Sequence, residues 1–333
     1  MIVRLGYVAM STVVSNASPS KTMTAASFIK LGDREAAIRK LERIGAENIH
    51  NSLRLLRHNR AHDIRLYRFS SKLIPLMTHE LLDGWDPIAV LKEEFAGLGA
   101  YVREHKMRTS FHPDHFTVLS TPREEVLKNS YKDLERHCAM LEAMGLNKNA
   151  KCNIHIGGSY GDKEQSMERF IRNFGGLDET VRSRLTLEND DKTYTAAETL
   201  EACERLQVPM VLDLHHHMVN HGGEKPEELW PRIQRTWEEA GEDTEASLGM
   251  PYLPPKIHIS SPKNGRDARA HADYVEAGPL AEFLRRIAAD TPVLDVMIEA
   301  KMKDGALFRL KEDLAALPDI EAADQAAIKL KPV

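Results

Sequence analysis

The sequence predicts one (β/α)8 barrel, and three observations carry that reading. Eight short β-like runs recur along the 333 residues, each followed by a longer charged stretch with helical spacing. No Pro-, Gly- or Ser-rich linker divides the chain, which favours one closed ring over two separate sheets. The polar residues of the runs collect at their carboxyl ends, where such a barrel brings distant parts of the chain together. The alternative architecture is a doubly wound open sheet. The barrel is expected over residues 1–317, with 318–333 as a C-terminal tail, either a closing helix or a mobile end.

In chain order the strands are expected at "IVRLGYVA", "IRLYRFS", "MRTSFHP", "KCNIHIGG", "RLTLEND", "PMVLDLHH", "PKIHISS" and "LDVMIEA". Each is rich in branched or aromatic residues and ends in a polar or turn-forming one. Helices are expected over Asp33 to Asn59, Asp86 to Glu104, Pro122 to Met144 and Ala196 to Arg205. "TPREEV" places Thr121 at an N-cap, Pro122 at the first helical position and acids in the first turn, and "GLN" after Met144 is the matching stop. "GLGAYV" near Gly97 is too incomplete for a nucleotide-binding fingerprint.

Composition narrows the function classes. A net charge of −5 argues against non-specific adhesion to nucleic acid, which needs many Lys and Arg contacts to phosphate. It leaves room for a local positive site, since bound divalent cations invert the field even of an acidic protein. Cys138, Cys152 and Cys203 are odd in number and far apart, so neither a disulfide framework nor a zinc knuckle is expected. The sequence has no secretory leader pattern and no long apolar span, and a cytoplasmic protein is expected.

The stretch "VLDLHHHMVNH" raises the functional question, because an apolar run ends in an acid followed by His215, His216 and His217. Unpaired polar groups in a strand interior cost about 1 to 3 kcal/mol each, so the cluster binds something or lies in water. The other run ends give Tyr7, Ser70 with His79 beyond it, His112 and His115, His155, Glu188, His258 with His271 beyond it, and Glu299. Alternation puts Lys256 with His258, Asn153 with His155, and Thr186 with Glu188 on shared faces. A lone strand-end histidine is usually structural. A ring of imidazoles and carboxylates repels itself or stays unpaired without a cation. Mixed nitrogen and oxygen donors without thiolate suit zinc, manganese or iron, and the donors are too many for one ion.

The loops speak more softly. "HIGGSYGDKE" opens a helix whose amides would suit a phosphate, or is simply a tight turn. "SNASPSKTMT" reads as a polar loop above the rim, and "SSPKNGRDARAH" adds Lys263, Arg266 and Arg269 there.

"RFSSKLIPLMTH", "FHPDHF", "NIHIGGSYG", "LENDDKTY", "PKIHISSPK", "HADYV" and "MIEAKMKD", in this order over Gly6 to Asp304, resemble the UV damage endonucleases. That family shares its barrel and metal arrangement with abasic-site nucleases of the endonuclease IV type. The resemblance implies an enzyme that cuts damaged double-stranded DNA on the 5′ side of UV photoproducts, leaving a 3′ hydroxyl, and acts at the nucleoid without an obligate protein partner or a membrane. It implies metal ligands at His79, His112, His155, Glu188, Asp213, His216, His258, His271 and Glu299, holding two or three divalent ions, manganese first, with zinc or magnesium as alternatives. Glu188 is expected to bridge an ion held by His112 and His155 and a second held by Asp213, His258 and Glu299, with a third near His216 and His271. Glu188, His258, Glu299 and Lys256 are the residues implied for catalysis, and Lys256 matches a lysine that the family can carboxylate. Tyr7, His115, Phe116 and Lys263 are implied for contact with DNA.

Two departures stand out: His115 replaces the family's usual Gln before its aromatic wedge, and Met10 and Ser11 stand where the family has Asn. Three rival functions use similar parts: a metal-dependent sugar isomerase on the same barrel, an abasic-site nuclease, and a non-catalytic damaged-DNA-binding protein.

Overall fold

The computed structural model describes residues 1–331. Seven parallel strands come first: β1 (Ile2–Val8), β2 (Leu66–Arg68), β3 (Arg108–Phe111), β4 (Lys151–His155), β5 (Leu185–Glu188), β6 (Met210–Asp213) and β7 (Lys256–Ile259). A two-stranded hairpin follows, β8 (Pro262–Asn264) and β9 (Asp267–His271), and then β10 (Val293–Ile298), β11 (Ile320–Ala322) and β12 (Ala327–Leu330). Strands β1 to β7 pair in sequence, β10 pairs with β7, and β10 closes on β1 through Ile2↔Val293 to Tyr7↔Ile298. The result is the eight-stranded (β/α)8 barrel expected from the alternation of runs. Nearly every barrel-strand residue is buried, because helices cover the outside and side chains fill the inside.

Close approach explains two glycines. A Cβ on Gly6 would sit 2.4 Å from Leu66 Cβ, where β1 meets β2. A Cβ on Gly99 would sit 1.7 Å from the Met144 carbonyl oxygen, so "GLGA" is a helix-packing contact.

Three local expectations are corrected. The tail is neither a helix nor a free end: β12 runs antiparallel to the start of β1, through Ile2↔Lys329 to Arg4↔Ala327, and β11 pairs with β12. Barrel tilt leaves the lower half of β1 unpaired on its β2 side, and this hairpin covers it. Pro332 and Val333 of the expected tail lie outside the described residues. The helix expected from Asp86 to Glu104 breaks at Leu91 into Pro87–Val90 and Lys92–Glu104. The helix expected from Pro122 begins at Glu124 with Arg123 at the cap position, while Thr121 Oγ1 accepts from Arg123 N earlier, in the preceding turn. "SSPKNGRDARAH" is the β8–β9 hairpin and carries His271 at its end. Among the described residues no helix is long and apolar enough to cross a membrane.

The barrel interior is polar from floor to mouth. Near the amino ends of the strands, Arg4 donates through Nε and Nη2 to both Asp295 oxygens at 2.7 Å, and Arg108 Nη1 donates to Asp295 Oδ2 at 2.6 Å. These residues come from β1, β10 and β3, so they meet only inside the ring. Burial alone would raise the Asp295 carboxyl, but the two guanidiniums hold it below its ordinary value.

Candidate metal centre

Six adjacent barrel strands deliver their carboxyl ends to one place: His112 follows β3, His155 ends β4, Glu188 ends β5, Asp213 ends β6, His258 lies in β7 and Glu299 follows β10. Register aligns them, with His155 opposite Glu188 and Asp213 opposite His258. Glu188 is the hub. Its Oε2 lies 3.3 Å from His112 Nε2 and 3.1 Å from His258 Nδ1, and its Oε1 lies 3.4 Å from His216 Nδ1. Asn153 Nδ2 donates to Oε2, and Thr186 Oγ1 holds Asn153 by donating to its Oδ1 at 2.7 Å. Donor atoms of His112, His155 and Glu188 lie within 4.8 Å of one another, and so do those of Glu188, Asp213 and His258.

The spacing between Asp213 and His216 has a backbone cause. Asp213 caps the short helix Leu214–Val219, its Oδ1 accepting from His216 N at 2.7 Å. One carboxylate oxygen is thereby used and Oδ2 is left without a partner.

Four histidines are oriented the same way. His112 Nδ1 donates to the Pro113 carbonyl at 3.0 Å, His155 to Glu188 O at 3.2 Å, His216 to Asn189 O at 2.9 Å and His271 to Glu299 O at 2.7 Å. A carbonyl oxygen only accepts, so Nδ1 carries the proton and Nε2 is the ligand atom in each ring, the usual outer-sphere arrangement of metal-binding histidines. At the centre, Glu188 Oε1, Asp213 Oδ2 and both ring nitrogens of His258 are buried without a hydrogen-bond partner. Buried polar groups are otherwise almost always paired, and bound cations would satisfy the carboxylate oxygens and one His258 nitrogen, since the two nitrogens of one ring point apart. The donor set therefore fits divalent metal, with the cysteines Cys138, Cys152 and Cys203 buried and free.

The electrostatics agree. Burial would raise Glu188, yet His258, His155 and His112 hold it well below the usual carboxylate range. Burial likewise opposes the charged form of His216, but Asp213, Glu188 and Glu299 outweigh it and push the ring up to about 9. A proton and a metal ion compete for that nitrogen. Lys256, 2% exposed, stands 3.5 Å from Ser110 Oγ, and burial, with Arg108 and Arg68 nearby, pushes its amine down to about 7.

Not every sequence-predicted residue joins the cluster. His79 caps the turn Glu80–Leu82 through Nδ1, and among the described residues no hydrogen bond or ion pair links it to the others. Tyr7 is a correction: it is completely buried, its hydroxyl donating to Asn59 at 2.8 Å, because it lies on the outer face of β1, opposite to Arg4, and packs under the long helix Arg34–Ala61 rather than facing the mouth. His271 reaches Glu299 Oε2 at 4.0 Å. His115 and Phe116 stack with centroids 4.1 Å apart, and Phe116 is 73% exposed beside the mouth. Lys263 lies exposed on the β8–β9 hairpin, 3.9 Å from Asp267. Of the amides opening the helix Lys163–Gly175, that of Gln165 is already taken by the Asp162 side chain, whose negative charge also sits where a phosphate would. His215 is bound through both nitrogens, to Ala268 O at 2.7 Å and to Ser260 Oγ at 2.5 Å.

Sequence reasoning missed Arg68, which pairs with Glu299, and Asn189, which clasps Asp213 through both backbone groups. Arg68 ends β2, so its place at a strand terminus was the available signal. The open cleft, about 420 Å³, is lined by His112, His155, His216 and His271 together with Lys192 and Arg269.

Fold and site together define a (β/α)8 barrel with a candidate multi-ligand metal centre at its carboxyl mouth. The sequence model of the UV-endonuclease UvdE family matches residues 3–331, and the chain belongs to that family. It is 44% identical over 333 residues to the UV DNA damage endonuclease of Halalkalibacterium halodurans, covering all of both chains. It is 41% identical to that of Bacillus pumilus, covering 99% of each. The solved structure described as SacUVDE superposes with a TM-score of 0.76 at 28% identity, covering 91% of this chain and 95% of that one.

Proposed function

We propose that this chain is a metal-dependent endodeoxyribonuclease that hydrolyses the phosphodiester 5′ to UV photoproducts in duplex DNA. The observation that carries the metal requirement is the set of buried, unpartnered atoms on Glu188, Asp213 and His258, ringed by histidines whose Nδ1 protons are already committed. Membership of the UvdE family supports the DNA substrate. Two or three divalent ions, manganese first, would be held here, and Glu188 would be shared between the two halves of the donor set. His112 and His155 serve one side, Asp213, His258 and Glu299 the other, and His216 and His271 the outermost place. When bound, such ions supply a nucleophile at neutral pH, a Lewis acid on the phosphoryl oxygen and charge stabilisation for the departing 3′ oxygen.

The protein's own groups do the rest. Asn153 and Thr186 hold the Glu188 carboxylate in one orientation. Arg68 holds Glu299 and adds positive charge beside the phosphate path. Lys256, with its amine near neutrality, is available either as a proton carrier or as the site of carboxylation. Lys263 and Arg269 receive backbone phosphates on the rim. Phe116, with His115 stacked on it, wedges into the base stack where a photoproduct has weakened it, because such a site is cheaper to kink than normal duplex.

The test is a duplex with one defined cyclobutane dimer, cleaved with Mn²⁺ and mapped to the nucleotide. A single cut on the 5′ side, abolished by EDTA and by Glu188→Gln, is expected. Undiminished cutting by Glu188→Gln would overturn the metal assignment, and cutting only at abasic sites would overturn the lesion assignment.

A further inference from the structure

The loop after β1, residues 9–24, has no regular structure until its last residue caps a short helix, yet it is tethered along most of its length. Ala9 adopts a left-handed backbone (φ 58°), a strained state for a residue with a Cβ. It is held there by Arg68 O, which accepts from Ala9 N at 2.9 Å, and by Tyr67, whose hydroxyl donates to Ala9 O at 2.5 Å. Further on, one face of the long helix Arg34–Ala61 takes over. Arg54 donates to the carbonyls of Asn16 at 2.7 Å and Ser15 at 3.2 Å, Asn51 to Ser18 O at 2.9 Å, and Asn48 both accepts from Lys21 N and donates to Lys21 O at 2.9 Å.

The middle of the loop is held from the other side. Asp304, completely buried at the start of the helix Lys303–Ala315, accepts from Thr12 N at 2.8 Å, from Thr12 Oγ1 at 3.0 Å, from Gly305 N at 3.0 Å and from Ser11 Oγ. His58 Nε2, on the same long helix, lies 3.2 Å from its other oxygen, Oδ2. A buried carboxylate so surrounded by donors is the strongest single anchor available to a loop backbone. What the anchoring presents is apolar: Met10 is 42% exposed and Val13 57% exposed, flanking the clamped pair Ser11 and Thr12. Exposed apolar side chains on an otherwise tethered polar loop at the mouth suit a surface that meets bases rather than water.

We propose that Asp304 is a positioning residue for substrate: it clamps Ser11 and Thr12 so that Met10 and Val13 stand as a preformed apolar rim against the damaged duplex, two strands round the mouth from Phe116. This rests on the nuclease reading above. A loop held ready loses no affinity to ordering, whereas a loop in the right form one-tenth of the time weakens binding about tenfold.

The test uses the full-length, metal-loaded protein and two variants that disturb the clamp from opposite sides, Asp304→Asn and the double variant Ser11→Ala with Thr12→Val. Amide hydrogen exchange over residues 10–16 is expected to rise about tenfold in both, reporting local opening without global unfolding. KM for irradiated duplex should rise about tenfold while kcat stays within about twofold, and metal content should match the unaltered protein. The double variant lies on the loop, so it bears on the proposal even where Asp304→Asn fails to fold. Unchanged loop exchange in the double variant overturns the clamp. Raised exchange with unchanged KM overturns the rim. Failure of the unaltered protein to cut irradiated duplex would sink the nuclease reading instead, and the exchange result would still decide the clamp.

Discussion

The barrel holds two buried charged clusters, one on its floor and one at its mouth, and they are finished to different degrees. On the floor, Asp295 accepts three hydrogen bonds from Arg4 and Arg108, and Arg108 also donates to Pro254 O, leaving Arg108 Nη2 as a fully buried nitrogen without a partner. At the mouth, four buried atoms of Glu188, Asp213 and His258 have no hydrogen-bond partner, although acids and imidazoles crowd within 3.4 Å. Both clusters sit in the same low-dielectric interior, so burial alone does not explain the difference. The floor is a closed set of opposite charges. The mouth is an open set of donor atoms of a kind that fits a cation.

Exchanging the two roles by mutation breaks the comparison if it is wrong. Glu188→Gln is expected to lower nicking of irradiated plasmid by about 10³-fold, while the Tm of the metal-free protein moves by less than about 2 °C. Asp295→Asn should do the reverse, costing about 3 to 5 kcal/mol in denaturant unfolding because two guanidiniums lose their partner, with metal content unchanged. Equal destabilisation by both variants would mean that the mouth is an ordinary structural network.

Metal removal sharpens the contrast further. At metal concentrations near a hundred times Kd, loading stabilises by about 2.7 kcal/mol, so EDTA should lower the Tm of the unaltered protein and leave that of Glu188→Gln nearly unmoved. A smaller effect lies in acid. The Asp295 carboxyl is held below its unfolded value, so its stabilisation is complete above about pH 4 and is lost as pH falls through its folded value. Urea midpoints measured downward from pH 5 should fall less steeply in Asp295→Asn than in the unaltered protein. Smallest is the rim: Phe116→Ala should weaken binding to irradiated duplex by about tenfold and to undamaged duplex less, and equal losses would remove the wedge.

How much of this was legible in the sequence varies by residue. All eight barrel strands fall on the runs that alternation singled out, and Glu188, Asp213, His258, His155 and His112 meet as strand ends should. Tyr7 was misread because a strand-end position does not say whether a side chain points into the barrel mouth or outward under a covering helix, where Asn59 seals it. The tail was misread because β11 and β12 are short and take their stability from the exposed edge of β1. Arg68 and Asp304 were not singled out, since single charged residues acquire meaning only from what they touch.

By itself, the sequence determined the alternation of strand and helix, and hence the barrel, because hydrophobic periodicity and turn residues act over a few neighbours. It also determined which donor types reach the mouth, because strand ends converge whatever their separation along the chain. Only the tertiary structure decided which atoms are already spent and which are free. Hydrogen bonds such as those from His155, His216 and His271 to distant carbonyls depend on angles and distances that residue order does not encode.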